Sequence, residues 1–230
     1  MTTQNPGCKA KKRIIMNYVY DVLIIVLLFI LFAFLHSLLA SVKVKKYIKE
    51  KFDGLIAYYR LGYNIFSLIS LYIIYEISPK PHLIIYDLKN PFDLIILVPQ
   101  LLALIGIIWS ARYICVKEFL GINQIKRAIN SEYNSELDED MTLTIGGPYR
   151  VMRHPIYFFS IVFLLFRPVM DLFYLTFFIC VVIYFYIGAY FEEKKLVNYF
   201  GDVYVNYKKM VPGIIPYKIF KPYDQKIILE

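Results

Sequence analysis

The stretch YVYDVLIIVLLFILFAFLHSLLA, Tyr18–Ala40, decides the class of the fold. Apart from its tyrosines, only Asp21 and His36 in it are ionisable. About 20 apolar residues in a helix are enough to cross the roughly 30 Å hydrocarbon core of a bilayer. Basic residues precede the run, as they would in a signal peptide. Its apolar core is longer than the usual 7–15 residues, however, so an uncleaved span is expected. Three more runs follow: Leu61–Ser78, ended by Pro79 and Pro81; Phe92–Val116, with Pro99 and Gln100 inside it; and Pro155–Phe191. The last would be about 55 Å long as one straight helix, too long for a single crossing. Arg167-Pro168-Val-Met-Asp171 interrupts it and predicts a tight helical hairpin. The expectation is an all-α integral membrane protein with one membrane domain over 1–230. Its five spans would cover about 18–40, 61–78, 92–116, 155–167 and 171–191, with a motif-bearing half at 117–216.

Composition agrees with this. Hydrophobic residues make up 59% and charged ones 19%, with a mean hydropathy of +0.53. Soluble domains average about 45–50% apolar and about 25% charged. A soluble enzyme, a disordered chain and a disulfide-stapled secreted module are excluded. The net charge of +8 is carried by basic residues that flank apolar runs, which suits orientation and anionic headgroups rather than nucleic acid. Cys8, Cys115 and Cys180 have neither paired nor metal-ligand spacing, so no metal site is expected.

Five spans would put Lys9, Lys11, Lys12, Arg13, Lys80, Lys89 and Arg167 on one side and 19 Lys and Arg on the other. The positive-inside rule then places the N-terminus outside and the C-terminus in the cytoplasm. The connection after the first span, the loop Lys117–His154 and the tail after Phe191 would share the cytoplasmic face. No internal repeat and no matching pair of broken helices of the transporter kind is evident. The acidic residues Glu132, Glu136, Asp138, Glu139 and Asp140 read as a solvated loop.

Two segments carry candidate chemistry. In Gly146-Gly-Pro-Tyr-Arg-Val-Met-Arg-His-Pro-Ile-Tyr157, a glycine turn lets backbone approach a ligand closely, and Pro155 suits the first position of a helix. Arg153 and His154 beside that helix start would suit an anionic group, and a basic membrane boundary with snorkelling side chains explains them equally well. The second segment is Phe191-Glu-Glu-Lys-Lys-Leu196, then Phe200-Gly201, Tyr204, Tyr207 and Val211-Pro212. Glu192 and Glu193 end a hydrophobic helix, where anions oppose the helix dipole and lie close to lipid. Such a pair calls for a ligand or a partner; the alternative is a helix that simply continues into water, with Glu193 paired to a lysine.

Together, Gly-x-Tyr-x-x-x-Arg-His-Pro-x-Tyr and Glu-Glu-x-x-Leu-x-x-x-Phe-Gly-x-x-Tyr-x-x-Tyr-x-x-x-Val-Pro resemble the isoprenylcysteine carboxyl methyltransferase and phospholipid methyltransferase superfamily. His36-Ser-Leu-Leu-Ala-Ser41 and Phe119-Leu-Gly-Ile-Asn-Gln124 extend the resemblance toward its thiol methyltransferases and NnrU-type membrane proteins, with Asn123 where their pattern has arginine. The resemblance implies an S-adenosylmethionine (SAM) site built from Met141, Thr142, Leu143, Thr144, Tyr149, His154, Pro155, Ile156, Tyr157 and Glu192. Arg153, Glu193 and His36 are the candidates for catalysis. Gly188 stands where isoprenylcysteine methyltransferases carry a substrate-binding arginine, which favours an acceptor without a carboxylate.

The expected function is therefore SAM-dependent methyl transfer to a methanethiol-like thiol. The partners would be a small-molecule or lipid-like acceptor and the bilayer, with no nucleic acid and no obligate protein partner. Isoprenylcysteine or phospholipid methylation, an NADPH-dependent sterol-type reductase and a non-enzymatic NnrU-like role remain open alternatives.

Overall fold

The computed structural model describes residues 6–132, 137 and 142–218, and for 6–13 the backbone only. The chain is mostly helical. In order, the elements are α1 (Pro6–Ala40), α2 (Val42–Lys51), α3 (Ile56–Ile77), β1 (Ile84–Asp87), α4 (Phe92–Ile95), α5 (Leu97–Ala111), α6 (Val116–Leu120), α7 (Ile122–Ile129), α8 (Pro155–Leu165), β2 (Val169–Asp171), α9 (Leu172–Phe200) and α10 (Asp202–Met210).

Among the described residues three helical stretches are long and apolar enough to cross a membrane: Ile14–Ala40, Phe92–Ala111 and Leu172–Phe200. The other two expected spans correspond to α3 and α8. The first has 22 residues, but Tyr58, Tyr59, Arg60, Gly62 and Asn64 dilute its opening turns. The second is apolar and has only 11 residues. Large side chains such as Leu27, Leu68 and Leu102 stand 60% or more exposed on the helices. An outer surface of that kind suits lipid, because in water it would be a large apolar patch.

The break in the long apolar run lies where the sequence places it, and Asp171 caps the returning helix by accepting from the Tyr174 amide at 2.7 Å. The expected all-α fold is amended by a small sheet at this turn. Strand β1 pairs antiparallel with β2, matching Tyr86 to Met170 and Asp87 to Val169. The hairpin turn leaves backbone groups unpaired, and β1 supplies their partners. Beside the sheet, Leu88 N–H donates to the Pro168 carbonyl at 3.0 Å and Tyr86 donates to the Arg167 carbonyl at 3.2 Å. Runs of three and four residues show no alternation in the sequence, so nothing there announced them.

Packing between the helices is aromatic. Phe29 of α1 meets Phe177 and Tyr184 of α9 edge to face, with centroids 5.4 and 6.1 Å apart. Helices α5 and α8 lie in close contact, and Gln100 Nε2 of α5 donates to the Phe163 carbonyl at 3.1 Å. Gly106 makes that approach possible, since a Cβ there would overlap the Phe159 ring.

Polar segments gather at one end of the bundle. Tyr59, early in α3, donates to the Leu39 carbonyl near the end of α1 at 2.6 Å. Asn64 donates to the Phe119 carbonyl at 3.0 Å, and Thr144 to the Tyr113 carbonyl at 3.1 Å. Helix α9 continues unbroken to Phe200, nine residues beyond the expected end of its span, so both glutamates lie within it. Substituting Gly106→Val should cost about 1–3 kcal/mol by overpacking, read as a lower unfolding midpoint in detergent. An unchanged midpoint would contradict the close α5–α8 approach.

Candidate functional site

The site begins at the glycine turn. Gly147 has φ +54°, and a Cβ on it would run into the Tyr113 ring, so both conformation and contact require glycine. The chain then passes Tyr149 and reaches Arg153 and His154 directly before α8. Here the tail folds back. Arg153 N–H donates to the carbonyls of Pro212 and Gly213 at 2.9 and 3.0 Å. Tyr207 of α10 is buried and donates to the Tyr149 carbonyl at 2.5 Å. Tyr204, Tyr207 and Val211 pack with Ile145, with Leu143 against the same cluster.

Adjacent residues on a helix point about 100° apart, and the two glutamates take different roles. Glu193 is buried. Its Oε1 accepts from Arg153 Nε at 2.8 Å and lies 2.6 Å from Arg153 Nη2. His154 Nε2 is 3.0 Å from the same oxygen, and Lys208 Nζ is 2.8 Å from Oε2. The Arg153 guanidinium also donates to the carbonyls of Lys208 and Val211. Glu193 thus ties α9 to the start of α8, to α10 and to the tail. A lysine partner was one reading of the glutamate pair, and Lys208 is that partner.

Glu192 is half exposed. Its Oε2 accepts from the Tyr157 hydroxyl at 3.1 Å and lies 3.6 Å from His154 Nδ1. Tyr157 stacks between His154 and Phe185, with centroids 5.3 and 4.8 Å away and planes within 7°. Burial, and secondly the Glu192 charge, push the Tyr149 phenol up to about 12, so it is a neutral donor near that carboxylate. Tyr149, His154, Tyr157 and Glu192 therefore converge. Pro155 is buried behind them and Ile156 is half-buried. Thr142 is exposed, Leu143 faces the tyrosine cluster and Thr144 is held by Tyr113. Met141 lies outside the described residues.

Glu192 also lines a cavity of about 730 Å³ formed by the end of α1, α2, the start of α3 and the 184–198 stretch of α9. Its walls include His36, Tyr59, Arg60, Tyr63, Tyr184 and Gly188. Two smaller and less polar cavities touch none of the converging residues. The catalytic candidates separate: His36 faces the cavity, whereas Arg153 and Glu193 sit behind it in the buried ion pair. Gly188 leaves room beside the Tyr157 hydroxyl, 4.0 Å from where a Cβ would stand.

Sequence reasoning missed several partners. Tyr63 bonds His36 across 27 positions; a lysine partner for Glu193 was expected, but not that it would lie 15 positions away in α10. A second buried pair joins Glu118 to Arg127, bidentate at 2.8 and 3.0 Å, with Gln124 donating to Glu118 at 2.7 Å. Asn123, which replaces an arginine of the family pattern, donates weakly to Cys115 Sγ at 3.5 Å. No His, Cys, Asp and Glu cluster among the described residues is placed to hold a metal.

Glu193→Ala would leave the buried Arg153 guanidinium without its counter-ion, an expected loss of about 3–5 kcal/mol. The readouts are a lower unfolding midpoint and faster tryptic cleavage after Lys208 and Lys209. Glu192→Ala should barely move either. Equal effects from the two substitutions would contradict this division of roles.

No family model and no solved structure matches the chain. Among curated proteins, methanethiol S-methyltransferase 1 of Bradyrhizobium diazoefficiens is 29% identical over 200 residues, covering 86% of this chain and 67% of that protein. The methanethiol S-methyltransferase of Pseudomonas deceptionensis is 27% identical over 195 residues, covering 84% and 72%. That of Pseudomonas sp. (strain GM41(2012)) is 25% identical over 196 residues, covering 85% and 73%. The methyltransferase resemblance drawn from the motifs thus extends over most of the chain, which is a relative of proteins named methanethiol S-methyltransferase.

Proposed function

We propose that this protein is an integral membrane methyltransferase that moves the methyl group of SAM to a small thiol at the cytoplasmic end of its helices. The observation that carries the reading is the meeting of Glu192 with Tyr149, His154 and Tyr157 at the edge of the 730 Å³ cavity. Small-molecule sites fall in the range of about 300–1,000 Å³.

The residues present fit the cofactor. Glu192 is 49% exposed and offers a carboxylate to ribose hydroxyls or an amino group. The aromatic faces of Tyr149 and Tyr157 suit an adenine or a sulfonium. When bound, SAM supplies a methyl group already activated on sulfonium sulfur. The protein's part is to hold a nucleophile in line with it, an arrangement worth about 7–11 kcal/mol in well-oriented reactions.

A thiol acceptor is favoured by the relatives' names and by Gly188, which puts open space and a phenol where a carboxylate substrate would need a cation. In this reading α3 and α8 complete a set of five spans. The N-terminus lies outside, and the uneven basic residues hold the site in the cytoplasm.

Calorimetry and product analysis test the proposal. SAM and S-adenosylhomocysteine should bind the purified protein, SAM with methanethiol should yield S-adenosylhomocysteine, and Glu192→Ala should abolish SAM binding. If neither compound binds and no product forms, the reading is wrong.

A further inference from the structure

One wall of the cavity holds a hydrogen-bonded chain that the SAM-binding residues do not use. Ser67 donates its hydroxyl to the Tyr63 carbonyl, one turn earlier, at 2.7 Å. That is its only proton. In the 2.9 Å contact between Ser67 Oγ and His36 Nδ1, the imidazole is therefore the donor. A neutral imidazole with its proton on Nδ1 has an acceptor at Nε2, and the Tyr63 hydroxyl donates to it at 2.5 Å. The tautomer is assigned by this pattern of partners. Tyr63, Phe32 and Tyr184 surround the ring, with centroids 4.9, 5.5 and 5.9 Å away. His36 is fixed at both nitrogens and packed by three aromatic rings. A side chain held so firmly beside a cavity is positioned rather than snorkelling.

We infer that Tyr63, backed by His36, takes the proton from the acceptor thiol, and that the thiol binds in the part of the cavity bounded by His36, Tyr63, Tyr184 and Gly188. This rests on the thiol-methyltransferase reading and extends it to the second substrate. The S–H bond breaks and its proton passes to the Tyr63 oxygen, while the proton that Tyr63 held moves to His36 Nε2. The electron pair stays on sulfur as a thiolate. His36 becomes an imidazolium, with Nδ1–H on Ser67 and Nε2–H on Tyr63. The thiolate pair then forms the new S–CH3 bond as the sulfonium carbon–sulfur bond breaks, and that bond's electron pair leaves with the departing thioether. The product is a neutral thioether, and the extra proton returns through Tyr63 to water.

Arg153, the other candidate for activating a thiol, is committed to Glu193 and two backbone carbonyls and is not among the cavity's lining residues. The relay is uncharged at rest and suits a neutral alkyl thiol, which is mostly protonated at pH 7, since even the more acidic cysteine thiol has a pKa of about 8.5.

The test compares Tyr63→Phe and His36→Gln with the unaltered protein, using methanethiol and an acidic aryl thiol that is already a thiolate at neutral pH. General-base assistance is worth about 10²–10⁴-fold, and a loss of that size with methanethiol at pH 7 is expected from both variants. The loss should shrink as pH rises through the thiol's own pKa, and the aryl thiol should escape most of it. SAM binding by calorimetry should persist in both. If one variant fails to fold, the other carries the same comparison. A loss equal for both thiols and constant with pH, or no loss, overturns the relay while leaving the methyltransferase reading intact. If the unaltered protein methylates neither thiol, that reading itself falls, and the relay with it.

Discussion

The polar end of this molecule is organised around the carboxylate of Glu193. It sits inside a helix that is apolar for most of its length, and it is buried against a guanidinium, an imidazole and an ammonium. A lone buried anion would be very unfavourable, and one left by removing its partners would destabilise the fold. With Arg153 in place, the carboxylate fixes the first residues of α8. Through the carbonyls that Arg153 also binds, it fixes the tail from Lys208 to Gly213. The order of the converging residues follows from this. His154 is oriented by Glu193, Tyr157 stacks on His154, and Tyr157 in turn meets Glu192 at the cavity edge.

The apolar part has a different logic. Between helices in lipid there is little hydrophobic driving force, so close packing and small residues carry the association. The contact of Gly106 with Phe159 and the edge-to-face ring cluster around Phe29 are of this type. At the far end, the β1–β2 pair closes the hairpin turn and leaves few backbone groups open. The polar side chains gather at the other end, where α1, α3 and α9 border a cavity lined by tyrosines and by Lys45, Arg60, Lys194 and Lys195.

Much of the helical architecture was legible in the sequence, because long apolar helices announce themselves by composition and Pro168 marks the turn between α8 and α9. The gathering of Tyr149, His154, Tyr157 and Glu192 was implied by the family resemblance that the two motifs carry, not by the residues alone. The division of labour between Glu192 and Glu193 could not be expected, since it depends on which face of α9 each residue presents. Which lysine pairs with Glu193, and that Tyr63 bonds His36, were not legible, because one lysine in a basic tail and one tyrosine in a tyrosine-rich chain carry no signal of their own. The charged turn Glu192–Lys195 reads as the edge of a span, and helical hydrogen bonding continues through it to Phe200, nine residues beyond Phe191. A strand of three or four residues has too few positions to show a period.

The proposed function puts SAM against the Tyr149–Tyr157 segment and Glu192, next to the cavity proposed for the acceptor. Ultraviolet crosslinking of methyl-labelled SAM to the protein in detergent, followed by peptide mapping, tests it directly. Saturable labelling is expected only in peptides containing Tyr149–Tyr157 or Tyr184–Glu192, competed away by S-adenosylhomocysteine. Saturable labelling elsewhere in the chain, or labelling that S-adenosylhomocysteine does not displace, would contradict it.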